Sequence, residues 1–221
     1  MNRLHDPNTF FVFDLDDTLY QEVDYRTSGI LHVIEYLISV YELDFNPMKL
    51  FKKIQSQADW VGALCEEIQV PSNVKESILW CYRMHQPTIS MDEGIKNTLI
   101  DLHGVGRVAI LTDGRSITQR LKLKSLGLNA LDAYVSEEWG AGKPDSLMFE
   151  AVMKDFPFES YVYVGDNIKK DFYAPNNLGW LTIGVRDHGS NVHSQSPPFI
   201  SEMHKPKKWI SDIKSLKSIE Y

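Results

Sequence analysis

Cysteine is scarce: only Cys65 and Cys81 occur in 221 residues, with no CxxC pair. That scarcity excludes a disulfide framework and a cysteine-built zinc site, and it suits a reducing compartment with two buried thiols. Basic residues are in deficit too, with 23 Lys and Arg against 30 acids and a formal net charge of −7. No basic stripe stands out, so no nucleic-acid partner is expected. An anionic small molecule stays admissible, because a divalent cation and a few local bases can reverse the field inside a pocket. No uncharged apolar run approaches the roughly eighteen residues of a membrane span. The opening MNRLHDPNTF lacks the apolar stretch of a signal peptide. The expectation is a cytoplasmic protein with no membrane partner; nothing in the sequence speaks to oligomeric state. Repeats and low-complexity segments are also missing.

The residues present are those of an ordinary globular chain, 43% hydrophobic and 24% charged. This length fits one large domain, or a core with one inserted subdomain, and needs no staple to bury its core. TFFVF at residues 9–13 reads as a buried strand. From about residue 26 the rhythm becomes helical: Ile30, Val33, Ile34, Leu37, Ile38 and Tyr41 recur at three- and four-residue intervals. Asn46-Pro47 starts a second helical segment, Trp60 to Ile68 a third, and Pro71-Ser72 a fourth that stops near Gln86-Pro87. Residues 21–88 therefore read as about four helices without a strand.

Strand and helix then alternate. A helix from Ile95 to Leu102 leads to a strand at 107–111. The next helix, through Ile117, Leu121 and Leu126, ends at Gly127. A short strand follows near Tyr134-Val135, then a helix from about Asp145 to Lys154, a strand at 161–164, a helix before Gly179 and a strand at 181–185. Trp209 to Leu216 reads as a closing helix with Ser211 as its N-cap, and residues 186–206 as a surface loop. Apolar strands alternating with helices predict an open parallel α/β sheet covered on both faces.

Ligands of such sheets collect at the carboxyl ends of the strands, and those ends carry chemistry here. The first delivers Asp14 and Asp16. The strand at 107–111 delivers Thr112-Asp113-Gly114, and that at 161–164 delivers Gly165-Asp166 with Asp171 further on. Gly142-Lys143-Pro144-Asp145 adds a lysine at the expected start of a helix. Acids, one hydroxyl and one lysine thus meet at one sheet edge.

In this order DLDDTLY, LTDG, GKPD and GDNIKKD resemble the four motifs of the haloacid dehalogenase superfamily. The resemblance covers nearly the whole chain. It implies a Rossmann-like parallel-sheet core over residues 1–20 and 89–221, with an all-helical cap at 21–88 between the first and second motifs. It also implies a phosphoryl-transfer site. Asp14 would be the nucleophile that forms an aspartyl-phosphate, and Asp16 the acid/base for the leaving oxygen and then for water. Mg²⁺ would be held by Asp14, the backbone carbonyl of Asp16, and Asp166, with Asp171 just behind or through water. Thr112 and Lys143 would hold the phosphoryl oxygens.

Members of the superfamily that cleave carbon–halogen bonds lack an acid at the position of Asp16, because no alkoxide needs a proton. Its presence here favours hydrolysis of a small phosphorylated metabolite, a sugar phosphate or nucleoside monophosphate. A phosphoglucomutase-like mutase and a non-catalytic phospholigand-binding module are the alternatives. Cap residues such as Tyr20, Asp24, Arg26 or Arg83 would set specificity.

Blander readings of the same residues differ in strength. DLDDT is not an EF-hand loop, because a strand precedes it and Leu19 and Tyr25 stand at the sixth and twelfth positions. GAGK is not a P-loop, since Glu137 stands where its first glycine would be and Pro144 follows the lysine. Asp17 and Asp113 read as turn formers. His32 and Glu35 read as an exposed helix face, Gly104-Val105-Gly106 as a turn, and the lysines from 205 to 217 as solvated.

Overall fold

The computed structural model describes residues 7–104, 107–195 and 200–218. Its centre is a six-stranded parallel sheet in the order β3-β2-β1-β4-β5-β6. The strands are β1 (Thr9–Phe13), β2 (Val108–Thr112), β3 (Asp132–Val135), β4 (Ser160–Gly165), β5 (Leu181–Val185) and β6 (Lys208–Ile210). Register aligns the strand ends: Phe13 lies opposite Ile110 of β2 and Val164 of β4. The Asp14 N–H donates to the Val164 carbonyl at 2.8 Å, so the first acid leaves the centre of the sheet just past the last paired residue.

All five residues of β1 are buried, and their period-two alternation divides them between two cores. Phe11 and Phe13 join Ile110, Val164 and Ile183 on one face, under Leu99, Leu102, Leu123, Ile213 and Leu216. Phe10 and Val12 join Ala109, Leu111 and Tyr163 on the other, under Phe149, Val152, Phe172 and Trp180. The first face is covered by α5 (Glu93–Gly104) and α6 (Ser116–Ser125). The second is covered by α8 (Leu147–Asp155) and the short α9 (Tyr173–Asn177), while the four-residue α7 (Ser136–Trp139) follows β3. Residues 105–106 of the expected Gly104-Val105-Gly106 turn lie outside the described residues.

Between β1 and β2 the chain is helical, with α1 (Glu22–Val40), α2 (Pro47–Ile54), α3 (Trp60–Glu67), a 3₁₀ turn at Ser72–Val74 and α4 (Lys75–Met84). Asn46 caps α2, accepting from the Lys49 N–H at 3.0 Å ahead of Pro47, and Asp59 caps α3 through Gly62. This insert has its own core, built from Ile30, Val33, Ile34, Leu50, Phe51, Ile54, Leu64 and Ile78.

Three sequence expectations are corrected. Trp209 does not open a helix: it lies in β6, paired with Gly184 of β5. A Cβ on Gly184 would approach the Trp209 ring to 2.6 Å, so the missing side chain makes room for the indole. The helical part of the tail is a 3₁₀ segment, Ile213–Ser218, in which apolar residues recur every three positions. Ser211 caps nothing; Asp212 accepts from the Lys214 N–H at 2.9 Å instead. Finally, α8 starts at Leu147, so Lys143 sits in a loop whose Lys143-Pro144 peptide is cis. Among the described residues no helix is long and apolar enough to cross a membrane.

Candidate active site

Asp14, Thr112, Lys143, Asp166 and Asp171 are all buried, and Asp16 is partly buried, around one cavity of about 580 Å³ at the carboxyl end of the sheet. The loop from β4 brings in Asp171, whose approach depends on Gly165: a Cβ there would lie 2.5 Å from Asp171 Oδ2. Lys143 is the hub. Its ammonium has three hydrogens and three acceptors, Asp14 Oδ1 at 2.7 Å, Asp171 Oδ1 at 2.6 Å and the Tyr163 hydroxyl at 3.1 Å. Burial alone would favour the neutral amine, but the Asp14 and Asp171 carboxylates outweigh it and raise the Lys143 pKa well above its usual value.

One lysine does not neutralise this cluster. Oxygens of Asp14, Asp166 and Asp171 all lie within 4.8 Å of one another. Burial, with Asp171 and Asp16 nearby, pushes Asp14 up to about 8 despite the opposing pull of Lys143. Burial, with Asp171 and Asp14 nearby, pushes Asp166 up to about 9. Both Asp171 oxygens are engaged, Oδ1 by Lys143 and Oδ2 by the Asn167 N–H at 2.7 Å. Asp14 Oδ2 and Asp166 Oδ1 have no hydrogen-bond donor among the described residues. Hard carboxylate oxygens, crowded, dehydrated and partly unpartnered, form a donor set that fits Mg²⁺.

Asp16 has different company. Lys122 donates to Oδ1 at 2.7 Å, Gln119 Nε2 donates to Oδ2 at 2.8 Å, and the Tyr20 hydroxyl also donates to Oδ1. Burial opposes ionisation, yet the Lys122 charge and these hydrogen bonds hold the carboxyl below its usual range. Gln119 further reaches Thr112 Oγ1 at 2.7 Å. Asp17 sits at φ 54° and accepts from the backbone N–H groups of Glu22 and Val192, the turn-holding work its position suggests. Asp113 does more than form a turn: Oδ1 accepts from the Lys143 N–H at 2.9 Å and Oδ2 from Lys170 at 3.2 Å.

The sequence reading missed several residues that contact the site. Gln119 and Lys122 were hidden by the apolar pattern of α6. The segment read as a surface loop reaches the site: Asn191 Nδ2 donates to Asp166 Oδ2 at 2.9 Å, Gln195 donates to the Asp166 carbonyl, and His193 lines the cavity. Of the helical insert only Glu22, the first residue of α1, lies on the wall. Of the four specificity candidates, Tyr20 bonds Asp16, Arg26 turns to the Gln55 carbonyl, Arg83 lies over Trp80, and Asp24 lines the adjoining cavity. His32 and Glu35 are exposed and belong to no metal-capable cluster among the described residues.

The model of the haloacid dehalogenase-like hydrolases matches residues 10–179, which spans all four strand-end motifs. The chain belongs to that family. Relatives and folds agree with it. A glyceraldehyde 3-phosphate phosphatase of Methanocaldococcus jannaschii is 28% identical over 79% of this chain and 83% of its own. The pyrimidine 5′-nucleotidase YjjG of Escherichia coli is 24% identical over 86% of this chain and 89% of its own. The HAD-hydrolase YfnB of Bacillus subtilis, solved with magnesium, superposes with a TM-score of 0.64 at 18% identity, covering 96% of this chain and 97% of that one. This member of the family has the Rossmann-like parallel sheet with surrounding helices that its motifs imply.

Proposed function

We propose that this hydrolase is a Mg²⁺-dependent phosphatase that cleaves a small sugar phosphate through an aspartyl-phosphate on Asp14. The observation that carries the reading is the Asp14–Lys143–Asp171 cluster beside Asp166: a buried carboxylate next to a fixed ammonium, with unpartnered oxygens facing a cavity. An Asp14 oxygen attacks phosphorus, the ester P–O bond breaks, and the bridging oxygen leaves with the electron pair and takes a proton from Asp16. Water then attacks the phosphorus of the aspartyl-phosphate and gives its proton to Asp16, which releases inorganic phosphate and restores Asp14.

In the free site Lys122 keeps Asp16 as the carboxylate that the second step needs. An entering phosphate dianion beside it raises its proton affinity for the first. Lys143 and the Thr112 hydroxyl hold the non-bridging oxygens. Asp14, the carbonyl of Asp16, and Asp166 would bind the cation, with Asp171 behind, and Mg²⁺ there would neutralise the crowded negative charge. The helical insert, residues 21–88, serves as the cap that covers the substrate.

The wall supports a sugar phosphate over a nucleotide. Among the described residues it carries seven carboxyl groups, two lysines, one histidine, and no aliphatic side chain and no Phe, Tyr or Trp. A nucleobase would find only the His193 imidazole to stack on, and a second phosphate would meet mainly acids. Hydroxyl groups would find acceptors, with Glu22 on the cap side; burial and Asp16 push that carboxyl up to about 7. The curated triose-phosphate relative accords with this choice. The test is inorganic phosphate release with Mg²⁺ from a panel of sugar phosphates, nucleoside monophosphates and bisphosphates, run beside Asp14→Asn. Release from small sugar phosphates, lost in Asp14→Asn, is expected. Activity in that variant would remove Asp14 from its role, a preference for nucleotides would overturn the substrate class, and rearranged ester without free phosphate would mean a mutase.

A further inference from the structure

The sequence pattern of α6 places Ile117 inside, but the helix is turned the other way. Ile117 is 54% exposed, while Gln119 and Lys122 are 1% and 4% exposed. Burying an amide and an ammonium is costly unless both are paired, and both pair with Asp16. Among the described residues, Asp16 is the only carboxylate in ion-pair contact with Lys122. Gln119 Nε2 has three acceptors within reach, Asp16 Oδ2, Thr112 Oγ1 and the Asp113 carbonyl, for two hydrogens, and its Oε1 has no partner.

The same lysine touches the helical insert. Its ammonium lies 4.2 Å from the centroid of the Tyr25 ring in α1, a cation–π distance. Tyr25 in turn packs on Tyr82 and His85 at centroid distances of 5.4 and 5.0 Å. Beside the buried Gln119, the Thr118 hydroxyl donates to the Arg83 carbonyl of α4 at 3.0 Å. The helix that holds Asp16 is therefore also the seat of α1 and α4.

We propose that Lys122 is a positioning residue that fixes the Asp16 carboxyl for proton transfer to the leaving oxygen, and that Tyr25 makes this hold depend on how the helical insert is seated. The proposal rests on the acid/base reading of Asp16 and concerns where the carboxyl is held. As the P–O bond breaks, a poor alkoxide leaving group must take the Asp16 proton, whereas a good aryloxide leaves without it. Misplacing Asp16 therefore slows the first step, release of the leaving group, selectively for alkyl phosphates, which a general loss of structure would not do; the later water step slows alike for both.

The experiment compares single-turnover release of the leaving group from a sugar phosphate and from an aryl phosphate in the Mg²⁺-loaded protein for Asp16→Ala, Lys122→Met, Lys122→Arg and Tyr25→Leu. Thermal unfolding of each variant is recorded alongside. For Lys122→Met we expect leaving-group release from the sugar phosphate to slow about 50-fold or more, with half-saturation within about threefold, and release from the aryl phosphate to stay within about fivefold. Lys122→Arg should recover most of the loss. Tyr25→Leu, which keeps the ion pair, should show the same selectivity with a drop of about three- to tenfold. If Asp16→Ala slows leaving-group release from both substrates equally, the acid/base reading falls and the proposal with it. If Asp16→Ala is selective and Lys122→Met is not, the Lys122 proposal alone is overturned. Should Lys122→Met fail to fold, Tyr25→Leu and Lys122→Arg decide: a uniform loss on both substrates overturns the proposal.

Discussion

Two lysines hold the first two acids of one turn at this site, and their surroundings differ. Lys143 is shared by Asp14 and Asp171, is buried with both, and still leaves Asp166 close by. Among the described residues Lys122 makes its ion pair with Asp16 alone, and that carboxylate keeps 19% of its side chain exposed. The first arrangement retains excess negative charge in a dry place, so it holds protons or a cation. The second is balanced and holds neither. Acids two residues apart in the sequence thus come to stand in opposite electrostatic conditions, with Asp14 pushed up to about 8 and Asp16 held low.

The largest expected effect lies on the Lys143 side. Lys143→Met strands two buried carboxylates, at a cost of about 3–5 kcal/mol, and should cut kcat by about a hundredfold or more. Lys122→Met leaves Asp16 with Tyr20, Gln119 and some water, so its stability loss should be about 1–3 kcal/mol. Denaturant unfolding of both variants checks the order; equal losses would erase the distinction between the two lysines.

Metal and pH sharpen the comparison next. Asp14 and Asp166 have folded pKa values raised above their unfolded ones, so the folded chain holds protons that the unfolded chain has released. Metal-free stability should therefore fall as pH rises from about 4 toward 9, and Mg²⁺, which competes with those protons, should bind more tightly over the same range. Thermal unfolding at about pH 5 and about pH 8, with and without Mg²⁺, reads this directly. A Mg²⁺ concentration a hundredfold above its Kd at the lower pH adds about 2.7 kcal/mol there, and the same concentration should add more at the higher pH. A Mg²⁺ gain that shrinks with pH would contradict the cation's place among these acids.

A smaller effect belongs to the loop after β5. Asn191 holds one oxygen of Asp166, so Asn191→Ala should weaken Mg²⁺ binding about tenfold in calorimetry with little change in metal-free stability. Unchanged affinity would make that hydrogen bond incidental to the metal.

The parallel sheet and the convergence of Asp14, Asp16, Thr112 and Asp166 could be read from the sequence because each residue sits at or just past the end of an apolar run, while Lys143 and Asp171 were placed by the GKPD and GDNIKKD motifs. Local pattern and position in the fold carry the same information there. The pattern misled where a residue's partner is distant. Apolar spacing in α6 pointed to Ile117, but burial of Gln119 and Lys122 is set by Asp16, 106 residues from Lys122. Residues 187–195 are polar enough to read as solvated loop. Asp187 gathers the N–H groups of Gly189, Ser190 and Asn191 into a turn that delivers Asn191 to Asp166. The tail has Ile210, Ile213 and Leu216 at a spacing of three, which suits a helix; pairing with β5 claims the first and a 3₁₀ turn the other two.

The central claim is that Asp14, held by Lys143 at the end of β1, takes the phosphoryl group. Asp16→Asn, given an aryl phosphate that leaves without a proton, should form the aspartyl-phosphate and hydrolyse it slowly. Acid quench followed by mass analysis of peptides should then find the phosphoryl group on Asp14. A phosphoryl group on any other residue, or phosphate release from this variant with Asp14 unmodified throughout, would contradict the account.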